Sequence, residues 1–340
     1  DIIDVVAYGA FVLADHYTKA EQDVIDGLQD TALALKAPLD SPALVNPTIN
    51  GIAQSGYTGF KNYIINGGFD VSQRNDLSTP KAFTNDYMID RFHSYAIGTG
   101  ASATIQQNSY VPEAGSRTVS QSVTSNSAYT VFIIRQALES FAHLAGKVVT
   151  ASCMIRTNTK IGMRFHFGVG STTPDFYKVA PLQNNTWQKL EFTVTVPTDL
   201  ECFFLDITSI SDGAEDNHID VVIGDYFEVG SIQLEEGSVA TPFEVRPFGL
   251  ELSLCQRYYE IQDTPTMGLS NYNSWANESQ GRIPWKVAKR VPPTVSGYTV
   301  HNGNLIASGF GVYSAYFAMN WTSGNSASIS GYLLANAEIY

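Results

Sequence analysis

The strongest constraint on the fold of this chain is a period-two alternation that recurs from about residue 63 to residue 246. In TWQKLEFTVTVP, Leu190, Phe192, Val194 and Val196 fall on one face and Glu191, Thr193 and Thr195 on the other. Side chains that alternate between two faces are the mark of a β-strand, and one apolar face marks a half-buried one. KVVTASCMIR sets Val148, Thr150, Ser152 and Met154 against Val149, Ala151, Cys153 and Ile155. CFFLDI, HIDVVIGDYFEVG and SIQLEEG continue the pattern, and Gly, Ser, Asn, Asp and Pro punctuate the runs. Short strands so spaced imply an antiparallel β-sandwich, most economically a two-sheet jelly roll. In GDYFEVGSIQLEEG the apolar residues change face between Val229 and Ile232, which predicts a bulge near Gly230.

The flanking segments follow other rules. Residues 5–14 are nearly all apolar but too short to span a bilayer and carry no basic leader, so they read as a strand that needs a partner surface. In YTKAEQDVIDGLQDTALALKAP, Thr18 and Glu21 form a capping box, and Ile25, Leu28, Ala32 and Leu35 form a short heptad seam. A helix of this length, weakened by Gly27, is marginal alone in water. A parallel trimeric bundle would bury the stripe; packing on the chain's own domain is the alternative. Pro38, Pro42 and Pro47 then favour an extended linker. After Pro247 the spacing turns helical, with Leu250, Leu254 and Tyr258 on one face and Cys255 beside them, and residues 260–340 return to short strands. The expected organisation is an attachment segment over 1–16, a helical neck and linker over 17–61, a jelly roll over 62–247 and a C-terminal β-sandwich-like tip over 248–340.

Charge excludes one class of partner. A net charge of -13 with a pI near 4.8 is wrong for nucleic acid, whose phosphates need clustered Lys and Arg. The three cysteines, widely spaced and odd in number, suggest buried thiols rather than disulfides or a metal site. From Asp212 to Glu244 there are nine acids and no Lys or Arg, yet the spacing is not that of an EF-hand. Glu235 and Glu236 are neighbours on a strand end and point to opposite faces, a poor acid/base pair. No nucleophile elbow, zinc-protease helix, P-loop or dinucleotide fingerprint is present, so the expectation is a binding protein and not an enzyme. Aromatics crowd the C-terminal segment: Tyr272, Asn273, Trp275, Trp285 and Trp321 have the chemistry to stack on sugar rings and bond their hydroxyls. Core or interface packing is the competing reading of the same residues.

Several stretches, taken in order, resemble bacteriophage tail-fibre proteins. NYIINGGFDVSQRN followed by NDYMIDRFHSY is similar to the opening of their carbohydrate-binding-module-like jelly-roll domains. FEVGSIQLEEGSVATPFE and LSLCQRYYE resemble the domain end and connecting helix, YLLANAEIY the final strand, and LKAPLDSP the trimeric neck. The resemblance implies a homotrimeric virion fibre made in the host cytoplasm, attached through its N-terminus to a tail or capsid protein and binding a host-surface glycan or receptor. It implies no membrane insertion and no cofactor beyond a structural calcium, for which the matching positions are Asn66, Asp70 and Gln233. A purely structural appendage and a glycan-degrading tailspike are the alternatives.

Overall fold

A computed structural model describes Thr48–Ile49, Ile52–Ala53 and most of residues 60–340; the exceptions in that range are 98–99, 101, 110–116, 126, 169–175, 181–184, 210–218, 269, 274–277, 322–327 and 339–340. The chain divides into two compact units, residues 1–56 and 57–340. In the first, Thr48–Ile49 (β1) pairs antiparallel with Ile52–Ala53 (β2). The attachment segment and the neck residues Ile25, Leu28, Ala32 and Leu35 lie outside the described residues.

The second unit is the mainly β fold that the alternation predicts. Its strands begin with Lys81–Ala82 (β3), Asp86–Ile89 (β4), Phe92–Ile97 (β5), Ala103–Asn108 (β6), Thr118–Val123 (β7) and Ser127–Ala137 (β8). They continue with Val148–Thr157 (β9), Ile161–His166 (β10), Phe176–Val179 (β11), Gln188–Thr195 (β12), Phe204–Ser209 (β13), Ile219–Val221 (β14) and Tyr226–Glu236 (β15). Two antiparallel sheets result, one in the order β11-β10-β13-β8-β5-β4 with β14 added to β8, the other in the order β12-β9-β15-β7-β6-β3. This is an antiparallel jelly-roll sandwich. Phe92, Ile134, Phe165, Leu205 and Ile207 from the first sheet meet Val149, Ile155, Leu190, Val229 and Leu234 from the second in one buried core. Each such side chain contributes about 1.5–3 kcal/mol through burial.

The bulge is where the alternation puts it. Against β9, the register of β15 shifts between Gly230 and Gln233, and Ser231 takes a positive φ of 52°. Residues 62–69 strap this irregular point. Ile232 donates its N–H to the Gly67 carbonyl at 2.9 Å, and Tyr63 donates to Leu234 O at 2.8 Å. The approach is so close that a Cβ on residue 67 would sit 2.0 Å from Ile232 O, so only glycine fits.

The acids that follow close the sandwich. Glu235 accepts from Gln233 Nε2 at 2.7 Å and from the Thr241 N–H at 2.8 Å. Glu244 accepts the N–H groups of Lys61 and Asn62 at 3.2 and 3.0 Å. Arg246 bonds the carbonyls of Asn62 and Ile64 and lies 3.4 Å from Glu251, which in turn accepts the Asn66 N–H. The two ends of the jelly roll are thus clasped through buried charge-assisted bonds.

A helix, Phe248–Gln256 (α1), leads out of the clasp. Its buried residues are Glu251, Cys255 and Gln256, while Leu250 and Leu254 are half-buried. Cys255 and Tyr258 are buried as the sequence reading placed them, whereas Leu250 and Leu254 lie at the edge and Glu251 is drawn inward by Arg246 and Asn66. Seven strands follow: Tyr259–Gly268 (β16), Ser270–Asn273 (β17), Glu278–Pro284 (β18), Thr294–His301 (β19), Gly303–Phe310 (β20), Ser314–Trp321 (β21) and Ser328–Asn336 (β22). They form a sheet β16-β22-β19 and a sheet β17-β18-β21-β20, with Ile283, Trp285, Phe317, Met319, Ile329 and Leu333 in a second core. Among the described residues no helix is long and apolar enough to cross a membrane.

Candidate functional site

In the first sheet Phe92, Ile134, Leu205 and Phe165 face the core, so their strand neighbours face outward. Strand order turns those neighbours into a row. Tyr87 on β4 is paired with His93 on β5, His93 with Arg135 on β8, Arg135 with Asp206 on β13, and Asp206 with Arg164 on β10. Over part of this row lies a cleft of about 460 Å³ lined by Asn85, Tyr87, His93, Tyr95, Arg135, Ala137 and Phe204.

The floor is rigid. Arg135 donates Nε and Nη2 to the two Asp206 oxygens at 2.7 and 2.8 Å, and Arg164 Nε reaches Asp206 Oδ2 at 2.8 Å. The Arg135 guanidinium also lies 4.4 Å from the Phe204 ring centre and 5.1 Å from that of Tyr95. Two flanking rings and a bidentate carboxylate fix it in one orientation. Tyr87 and His93 meet edge to face at 5.0 Å, His93 and Tyr95 are tilted at 5.6 Å, and His166 stacks on Phe204 at 5.6 Å.

Protonation follows from these contacts. Burial, with Arg135 nearby, holds His93 below the ordinary histidine range despite Asp86, so the ring is neutral at pH 7. Burial and Asp206 push the Tyr95 hydroxyl up to about 12, so it remains protonated. The cleft therefore offers aromatic faces, a fixed cation and neutral hydrogen-bond donors.

A smaller cavity of about 260 Å³ lies where the jelly roll meets Tyr258, just beyond α1, and Arg91, Glu139, His143 and Tyr258 form part of its wall. Tyr258 donates to Glu139 at 2.6 Å and Arg91 pairs with Glu338, so the charged groups of that wall serve the seam.

Of the aromatic residues singled out in the sequence, Trp285 is not among the lining of this cleft. Trp285 is 7% exposed, belongs to the C-terminal core and donates its indole N–H to Gly311 O at 2.9 Å. Trp285 is thus a core residue of the C-terminal sheets and no part of the cleft lining, which corrects the expectation for it. Tyr272 and Asn273 lie on β17 and Trp321 ends β21, but their side chains, and the whole of Trp275, are outside the described residues. At the calcium positions the two amide oxygens already accept backbone N–H groups. The Asn66 side-chain oxygen accepts the Val71 N–H at 2.9 Å and that of Gln233 the Glu244 N–H at 2.8 Å. Burial raises the pKa of the Asp70 carboxyl, with the Glu251 carboxylate adding to the rise and Arg117 opposing it. Among the described residues no group of three or more His, Cys, Asp or Glu could hold a metal.

The cleft residues were missed because each looked like an ordinary strand residue. The available signal was a polar or aromatic residue at every second position opposite the core face, as in His93 and Tyr95, Arg164 and His166, and Phe204 and Asp206.

No family model matches the chain, and no curated protein matches it. Among solved structures it is similar to the enzymatically active domain of a tailspike protein from bacteriophage CBA120, at 14% identity and a TM-score of 0.35 over 52% of this chain. The match spans 21% of that tailspike domain. It is also similar to TmCBM61 in complex with β-1,4-galactotriose, at 11% identity and a TM-score of 0.33, covering 52% of this chain and 100% of that one. A third likeness is to a family 11 carbohydrate-binding module from Clostridium thermocellum, at 12% identity and a TM-score of 0.29, covering 48% of this chain and 98% of that one.

Proposed function

We propose that this protein is a bacteriophage fibre subunit that attaches to a host-surface saccharide by non-covalent binding in the cleft of the first sheet. The observation that carries the reading is the lining itself: the rings of Tyr95 and Phe204 flank a cation that is fixed in place, with His93 on the neighbouring strand beside it. Sugar rings present C–H faces that pack on aromatic rings, while Asn85, Tyr95 and Arg135 suit their hydroxyls. Catalysis forms no part of the proposal, and saccharide would leave the cleft unchanged.

The fibre part of the proposal rests on the ordered motifs from NYIINGGFD to YLLANAEIY and on the heptad seam before them. A trimer in the virion would place three such clefts side by side, and avidity would make weak single sites sufficient.

The experiment is titration of the full chain with a broad panel of bacterial surface saccharides, alongside Tyr95→Ala and Phe204→Ala. Binding by the wild type, weakened at least tenfold in both variants, is the expected result. Wild-type binding that survives both substitutions places the site elsewhere, and no binding to any saccharide overturns the function. Light scattering decides the oligomer separately, since a monomer contradicts the trimeric fibre. Release of reducing ends from a bound saccharide would overturn the non-enzymatic reading.

A further inference from the structure

We infer that the sugar taken by this cleft is an acidic one, bearing a carboxylate or a phosphate; the inference rests on the saccharide-binding reading and narrows it. The chain carries a net charge of -13, so its surface in general repels such a ligand. The cleft departs from that average. Its described lining contains one cation, Arg135, and no carboxylate.

Two carboxylates nearby are turned to other partners. Asp206 is 0% exposed and divides its oxygens between Arg135 and Arg164. Asp86, at the rim, accepts the Tyr87 N–H at 2.6 Å. The bonds from Arg135 to Asp206 use Nε and Nη2, which leaves the Nη1 group as a charge-assisted donor for a ligand oxygen. The rings of Phe204 and Tyr95 hold its plane while it does so. A neutral sugar needs aromatic faces and hydroxyl partners but no buried ion pair beneath them. An arginine immobilised by two rings and a carboxylate is instead the arrangement that meets a fixed anion, because its guanidinium cannot be deprotonated at any working pH. The protonated Tyr95 hydroxyl and the neutral His93 ring stand beside it as further donors.

The test uses the full chain and a set of oligosaccharides in which one backbone is presented in neutral, carboxylate-bearing and phosphate-bearing forms. The expected result is at least tenfold tighter binding of an acidic form than of its neutral parent, a preference that shrinks with added salt and collapses in Arg135→Gln. The acid that wins distinguishes carboxylate from phosphate. Equal binding of neutral and acidic forms, or a preference that survives Arg135→Gln, overturns the inference and leaves the saccharide-binding reading standing. Failure of every form to bind the wild type overturns both. If Arg135→Gln does not fold, the double variant Arg135→Gln with Asp206→Asn, which removes the stranded carboxylate, takes its place. The wild-type preference decides the inference even if both variants fail.

Discussion

Arg91 and Glu338, 247 positions apart, form an ion pair sealed between the jelly roll and the end of the chain. Their side chains are 1% and 0% exposed. Glu338 also accepts from Arg74 at 2.9 Å, and the Arg91 guanidinium lies 3.5 Å over the Tyr258 ring while donating to Ala137 O at 2.8 Å. Removing one partner strands a buried charge, which typically costs about 3–5 kcal/mol, whereas a surface pair would cost under about 1 kcal/mol. Glu338→Gln is therefore expected to lower the urea stability of the protein by about 3 kcal/mol or more. A loss below about 1 kcal/mol would show that this seam is not sealed in solution.

The strap over the bulge makes a second, sharper demand. A methyl group at position 67 would collide with Ile232 O, a backbone atom in the register shift of β15, and neither chain can yield without losing ladder bonds. Gly67→Ala should cost about 2 kcal/mol or more, at the upper end of overpacking effects. Gly249→Ala is the control: a Cβ there meets nothing within 4 Å, and the site lies in α1, where alanine gains up to about 1 kcal/mol. Denaturant midpoints that shift alike for the two variants would refute the close approach.

The bulge beneath that strap and the helix after it differ in how much the sequence alone could reveal. The bulge at Gly230 was legible because a period of two is strict: one extra residue flips every later side chain, and the flip from Val229 to Ile232 is local. The core positions Leu190, Val194 and Val196 were legible for the same reason. The burial of Glu251 in α1 was not, since it goes inward only because Arg246 and Asn66 await it, the latter 185 positions away. The cleft was hidden by the same distance effect. His93, Arg135, Asp206 and Arg164 become one row only once β5, β8, β13 and β10 are known to be neighbours.

Acid titration gives a third prediction. Burial pushes the Asp90 carboxyl from 3.8 up to about 6, against the downward pull of two hydrogen bonds from Gln73 and of the Arg74 cation, with Glu338 adding to the rise. A folded-state pKa above the unfolded one means that the folded protein holds the proton more tightly. The stability this contributes is complete below about pH 4 and lost as pH rises through about 6. Relative to Asp90→Asn, which cannot titrate, the wild type should therefore lose stability between pH 4 and pH 6, by on the order of 3 kcal/mol at most. Comparing the two proteins at each pH cancels the groups they share. A difference that stays constant across the window would mean that Asp90 is ionised throughout.

Trp285 separates the two uses that an aromatic-rich C-terminal module could have. Its ring packs with Phe317, Met319 and Leu333, its indole N–H is bonded to Gly311 O, and Lys289 Nζ stands 5.6 Å from the ring centre. Lys289 is itself wholly buried against Glu260, so the tryptophan is part of the wall that keeps that ion pair dry. Trp285→Ala should cost about 3–5 kcal/mol through the cavity it leaves. Saccharide affinity, measured at a temperature where wild type and variant are both folded, should not change. If the same substitution weakened binding at least tenfold while leaving the unfolding midpoint in place, the ring would have to face the ligand rather than the core, and the cleft of the first sheet would lose its claim to be the binding site.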